Sequence, residues 1–185
     1  LLRGPSGTGK TLIAGTVATK AIKIGASRDV QMEFVEVNGK HKKSEHEAIH
    51  QITHAFEREL DLEYTSKTGV STSSRYDRLF DIVDEYLDFG IVILDELDLL
   101  VGDSRNKDEP PAFSDILYKL SRAKRIGKMD SSFTLIVTTN SPNSLMSGLN
   151  SRTDSTFNPT EVSFADYNAN ELREILSHRR DAFYE

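Results

Sequence analysis

Cysteine is absent from the 185 residues, which excludes a disulfide framework, a thiolate zinc site, an iron–sulfur cluster and a cysteine nucleophile. Long hydrophobic runs are missing too. No stretch approaches the ~20 apolar residues that a membrane helix needs, and no signal-peptide pattern occurs, so no membrane partner is expected. Nor is there an excess of positive charge: 23 Lys and Arg face 29 Asp and Glu, a formal net charge of −6. A surface of that sign is not built as a whole to coat nucleic acid or anionic lipid. Apolar residues make up 37%, a low share, yet the length suffices for the core of one generous domain. The expectation is an intracellular, soluble globular domain.

Apolar runs bounded by turn signals alternate with helical patterns, the mark of an α/β domain with a mainly parallel sheet. The spacing predicts helices over Lys10–Ile24, Ser44–Leu60, Tyr76–Phe89 (stopped by Gly90) and Phe113–Ile126. Strands are predicted at Met32–Val37, Ile91–Leu94, Phe133–Thr138 and Glu161–Phe164. Leu62–Ser74 and Gly102–Pro111 read as loops, and Ser141–Thr160 as a long irregular stretch. Asn168, followed three residues later by Glu171, has the form of a capping box for a last helix reaching about Phe183. With no repeat or linker, one domain is expected.

Gly4-Pro5-Ser6-Gly7-Thr8-Gly9-Lys10-Thr11 satisfies G-x-x-x-x-G-K-[ST] at each fixed position. Its glycines let backbone N–H groups turn inward around a phosphate chain. Lys10 supplies charge for the β- and γ-phosphates, and the Thr11 hydroxyl can ligate Mg²⁺. The helix that starts at Lys10 adds its N-terminal dipole to the same anion site. A second, independent match is Ile91-Val92-Ile93-Leu94-Asp95-Glu96, a buried strand ending in two acids at the sheet edge where ligands bind. Asp95 is placed to share the Mg²⁺, and Glu96 to act as general base on an attacking water. Asn140, at the tip of the next strand, either contacts the γ-phosphate or merely forms a turn before Ser141-Pro142. Arg152 is either a finger for a neighbouring subunit's phosphates or an ordinary surface arginine, and its residue type and position alone favour the second.

Two other patterns compete. His46-Glu47-Ala48-Ile49-His50 is literally H-E-x-x-H, and His54 extends it. On a helix the three histidines fall within about 80° of arc, with Ile49, Ile52 and Phe56 on the other side. They are therefore expected on a solvent-facing stripe rather than in a catalytic zinc cleft, with a weak adventitious metal site at most. The clusters Lys40-His41-Lys42-Lys43 and Arg122, Lys124, Arg125, Lys128 suit either DNA phosphates or ordinary solvation, and no interleaved aromatics suggest base stacking.

These motifs, in this order, resemble the AAA+ ATPases, and among them the archaeal and eukaryotic replication initiators of the origin-recognition and cell-division-control family. The resemblance extends to Val37-Asn38-Gly39, to Leu94–Leu100 followed by Ile116–Arg122, to Leu149-Asn150-Ser151-Arg152, and to Val162–Phe164 with Tyr167–Leu176. It implies a P-loop NTPase three-layer sandwich of strand order 5-1-4-3-2, with ATP or ADP and Mg²⁺ as cofactors. It makes Asn140 a γ-phosphate sensor and Arg152 a trans-acting arginine. Implied partners are origin DNA, other initiator subunits or a second copy, and the replicative helicase. The location would be the nucleoid-associated cytoplasm in an archaeon or the nucleus in a eukaryote. The chain opens on Leu1 rather than Met. It is expected to be an AAA+ core fragment over 1–185, with its first strand cut short and without the helical lid and winged helix. The rival expectations are a clamp loader or helicase loader, and a regulatory module that binds nucleotide without hydrolysing it.

Overall fold

Five segments become the strands of one sheet: β1 (Leu2–Arg3), β2 (Met32–Asn38), β3 (Phe89–Asp95), β4 (Ser132–Thr139) and β5 (Val162–Ser163). The computed structural model describes residues 1–41, 44–66, 68–100 and 111–184. The strands run in the order β2-β3-β4-β1-β5, and every pairing is parallel. Read from the other edge this is 5-1-4-3-2, as the resemblance implied. Parallel neighbours require crossovers, and helices supply each one. The register sets Asn38 beside Asp95, Leu94 beside Val137, and Arg3 beside Thr139, so four strand tips meet on one edge.

One face of the sheet is covered by α1 (Lys10–Ala26), whose Ala14 and Ala18 pack on Ile91 and Ile93. Alanine brings that helix close to the sheet and costs no side-chain entropy. The other face carries α2 (Glu45–Glu59), α3 (Thr72–Tyr86) and α4 (Ala112–Arg122), with Ile49, Ile52, Phe56, Leu79, Ile82 and Ile116 in the main core. Helix, sheet and helix make the expected three layers. After β4 come α5 (Pro142–Ser147) and α6 (Ser151–Asp154), and after β5 comes α7 (Ala169–Tyr184).

Several boundaries differ from expectation for local reasons. Gly90 lies inside β3, paired with Glu33 and Phe133, instead of ending a helix, and glycine fits there since a Cβ would lie 3.0 Å from the Phe133 ring and 3.3 Å from Phe56. α3 starts at Thr72, inside the predicted loop, because the Ser71 hydroxyl accepts from Ser74 N–H and caps it. The stretch from Ser141 holds two short helices. Pro142 suits the first turn of α5, where no N–H is needed, and Asn150 caps α6 by accepting from Thr153 N–H. α4 stops at Arg122, four residues early, and turns follow it. The capping box is as expected: Glu171 accepts from Asn168 N–H at 2.8 Å, while Asn168 accepts from Glu171 N–H at 3.1 Å. Of the predicted Gly102–Pro111 loop, all but Pro111 lies outside the described residues, as do Lys42 and Lys43 of the first basic cluster.

Candidate phosphate-binding site

The loop between β1 and α1 turns on glycines. Gly9 sits at φ 86, in the left-handed region, and serves as the N-cap of α1. No side chain caps that helix and no acid occupies its first turn, so its leading N–H groups are left for an anion. Gly4 is required by contact: a Cβ there would fall 2.2 Å from the Phe164 carbonyl oxygen. Lys10 is only 6% exposed. Its ammonium donates to the carbonyls of Gly4 (2.8 Å) and Pro5 (2.7 Å) and to Asn140 Oδ1 (2.8 Å), so all three donors are engaged. Burial lowers its pKa, and the charges of Asp95, Glu96 and Asp98 partly restore it. Thr8 Oγ1 braces the loop by donating to the Pro5 carbonyl, while Ser6 and Gly7 lie at its crown.

The two acids stand opposite. Asp95 Oδ1 accepts from the hydroxyls of Thr11 and Thr138, each at 2.7 Å, and Oδ2 accepts from Asn38 Nδ2 at 2.8 Å. Glu96 follows at φ 49, which turns its side chain out of the strand. Its Oε1 accepts from Asn140 Nδ2 at 3.1 Å, its Oε2 from Asn38 Nδ2 at 3.4 Å, and its N–H donates to Thr138 Oγ1. Lys10, Asn140, Glu96, Asn38, Asp95 and Thr11 therefore form one continuous hydrogen-bonded chain across three strand tips and a helix start. A hydroxyl and a carboxylate 2.7 Å apart suit Mg²⁺, which takes one or two protein oxygens and fills its octahedron with water and phosphate.

Sequence reasoning gave no role to Asn38 or Thr138, and Tyr167 was also missed. Asn38 ends a strand as many turn residues do, and Thr138 reads as an ordinary β-former; only the register shows that both face the acids. Tyr167 donates from its hydroxyl to the Thr8 carbonyl at 3.0 Å. Arg152 stands apart, exposed on α6. It lines a cleft of about 360 Å³ with Asp115, Tyr118, Lys119, Asn150 and Ser151, and among the described residues no acceptor holds its guanidinium.

The histidine stripe needs correction. His46, His50 and His54 are half-buried, and the first two point at α3 instead of solvent. Arg75, with no exposed surface, donates from Nε to His46 Nε2 (3.2 Å) and from Nη2 to the Ser66 carbonyl (2.7 Å), and its Nη1 lies 2.8 Å from His50 Nδ1. His54 stacks on Tyr64 with ring centroids 4.3 Å apart. A spacing argument cannot see a buried arginine arriving from another helix. No group of three His, Cys, Asp or Glu among the described residues is arranged to hold a metal. In the second basic cluster, Arg122 lies over the Tyr118 ring and Lys128 stands 3.7 Å from Asp77.

A parallel sheet of this order, with a glycine loop, lysine, acid pair and strand-tip asparagine on one edge, defines a P-loop ATPase domain. The chain belongs to the AAA family, the ATPase family associated with various cellular activities, whose model matches residues 1–160. It is similar to the ORC1-type DNA replication protein 14 of Haloarcula marismortui (41% identity over 184 residues) and to the ORC1-type DNA replication protein 5 of Halobacterium salinarum (39% over 184). Each match covers 99% of this chain and 42% of the relative, so the chain spans less than half the length of those proteins. The solved structure of the Aeropyrum pernix ORC1 protein in complex with DNA matches with a TM-score of 0.77 at 28% identity, covering 98% of this chain and 43% of that one.

Proposed function

We propose that this chain is the ATP-binding and slowly hydrolysing core of a DNA replication initiator that assembles on origin DNA under the control of ATP. The observation that carries the reading is the unbroken hydrogen-bonded chain from Lys10 to Thr11, in which each member is a group that a nucleoside triphosphate and its water can engage. The amides of Gly4–Thr11 and the start of α1 bind the phosphates. Lys10 exchanges its carbonyl partners for β- and γ-phosphate oxygens. Thr11 and Asp95 would hold Mg²⁺, which would supply charge to offset that on the phosphate oxygens. Glu96 accepts a proton from the attacking water, and Asn140, bonded to both Lys10 and Glu96, registers the γ-phosphate between them.

Arg152 then acts in trans. Its exposure, and the lack of any acceptor for its guanidinium among the described residues, suit an arginine offered to the nucleotide of a second copy or of another initiator subunit. The similarity to ORC1-type replication proteins, one of them solved with DNA, supports origin DNA as the target. The match of the AAA family model to residues 1–160 supports reading most of this chain as the ATPase core. The replicative helicase is a further partner, and the nucleoid-associated cytoplasm is the site of action. No described helix is long and apolar enough to cross a membrane.

The test uses the full-length protein. Lys10→Ala should weaken ATP binding by at least about 100-fold in equilibrium titration, the loss of a buried charge from the phosphate site. Glu96→Gln should retain ATP but lower turnover by about 100-fold or more. Undiminished nucleotide affinity in the lysine variant would refute the reading.

A further inference from the structure

We infer that Tyr167 is a positioning residue of the phosphate site, setting the direction of a phosphate-binding amide from outside the loop. The inference rests on the nucleotide reading above and assigns a new member to that site. Tyr167 lies in the strap that joins β5 to α7, far from the glycine motif in sequence. Its hydroxyl donates to the Thr8 carbonyl at 3.0 Å and would lie 3.2 Å from a Cβ on Gly9.

The consequence follows from peptide geometry. In a trans peptide the C=O and the following N–H point in opposite directions across a rigid plane. All peptides described here are trans, so a Thr8 carbonyl held toward Tyr167 aims the Gly9 N–H the other way. No acceptor among the described residues pairs with that N–H. Gly9, at φ 86, has no Cβ to resist rotation, so an unpinned Thr8–Gly9 plane would be free to turn. Tyr167 removes that freedom before a ligand arrives, which is where pre-organisation acts on affinity.

The strap is itself anchored. The Phe164 N–H donates to the Arg3 carbonyl at 2.8 Å, and the Phe164 carbonyl occupies the space that a side chain on Gly4 would need. One residue beyond Tyr167, the reciprocal bonds of Asn168 and Glu171 fix the start of α7. The loop is thus clasped at its entrance by Phe164 and at its exit by Tyr167. No described side chain of α7 is fully buried, and this clasp ties the start of the helix to the sheet.

Tyr167→Phe in the full-length protein is the test, since the ring stays and the residue is already 38% exposed. Affinity should fall about 5- to 20-fold for ATP and equally for inorganic tripolyphosphate, the scale of one hydrogen bond with its ordering, while adenosine binds as before. The melting temperature without nucleotide should stay within about 3 °C of wild type. Unchanged ATP affinity, or a loss shared by adenosine, overturns the inference. If wild type binds ATP in a Lys10-dependent manner and the phenylalanine variant equals it, only this inference fails. If wild type binds ATP no better than Lys10→Ala, the nucleotide reading fails and takes this inference with it.

Discussion

Two polar clusters lie in this domain, and both combine acids or imidazoles with a buried cation. One, at the strand tips, gathers Lys10, Asn140, Glu96, Asn38, Asp95 and Thr11; the other, between α2 and α3, gathers His46, His50 and Arg75. They differ in what their bonds can be exchanged for. Lys10 holds loop carbonyls, which a phosphate oxygen can replace, and Thr11 donates to Asp95 beside them, a bond that coordination of a shared cation would replace. Arg75 has no surface exposed to any exchange and spends its donors on imidazoles and the Ser66 carbonyl, joining two helices and a loop. A cluster built for binding can be taken apart by its ligand, whereas a cluster built for folding is closed to one.

The sharpest way to break that contrast is Arg75→Ala. Losing a fully buried side chain and stranding its acceptors should cost about 3–5 kcal/mol of stability, read from a denaturant midpoint, while ATP affinity of the folded fraction stays unchanged. A lost affinity with intact stability would reverse the assignment of the two clusters. Thr138→Val comes next. It removes the hydroxyl that donates to Asp95 and accepts from Glu96 N–H, at a cost of roughly 1–3 kcal/mol and a turnover loss of about tenfold, measured by phosphate release. Equal turnover would show that the acids need no such support.

The smallest effect concerns Glu36, an exposed residue of β2 whose carboxyl pKa is raised first by partial desolvation and then by the Asp95 charge, both screened by solvent. A raised folded-state pKa in an acid means that ionised Glu36 opposes folding above that value, and that the penalty vanishes below the unfolded value of 4.5. Glu36→Gln should therefore raise the melting temperature slightly at pH 7, with the gain fading as the pH falls through the carboxylate range. A gain that persisted at pH 3 would point to packing instead of charge.

The glycine-lysine loop and the acid-ended strand were legible from sequence because each demands particular residue types at fixed spacing. The core helices were legible from their apolar period. What pattern could not reach were contacts made by side chains without a period of their own. Asn38, Thr138 and Tyr167 acquire their partners only through parallel register and a crossover. Arg75 inverts the usual rule that charges lie outside, so the histidines it holds were assigned to solvent. The start of α3 was hidden because Thr72–Arg75 carries no apolar residue, and Ser71 signals it only by capping. The helices after Ser141 were within reach, since Pro142 and Asn150 are ordinary start signals, but both helices are too short for periodicity to register.

Glu96 adopts φ 49, a conformation that costs a non-glycine residue about 1–2 kcal/mol. The same turn aims its carboxylate at Asn38 and Asn140 and brings its carbonyl against Gly39, where a Cβ would lie only 2.6 Å from the oxygen. Selection for stability alone would install glycine at position 96, relaxing the backbone and discarding the proposed base. On the proposed reading, glutamate in that place marks a local opposition between robustness and turnover: the residue proposed as the base is one that makes the domain slightly easier to unfold.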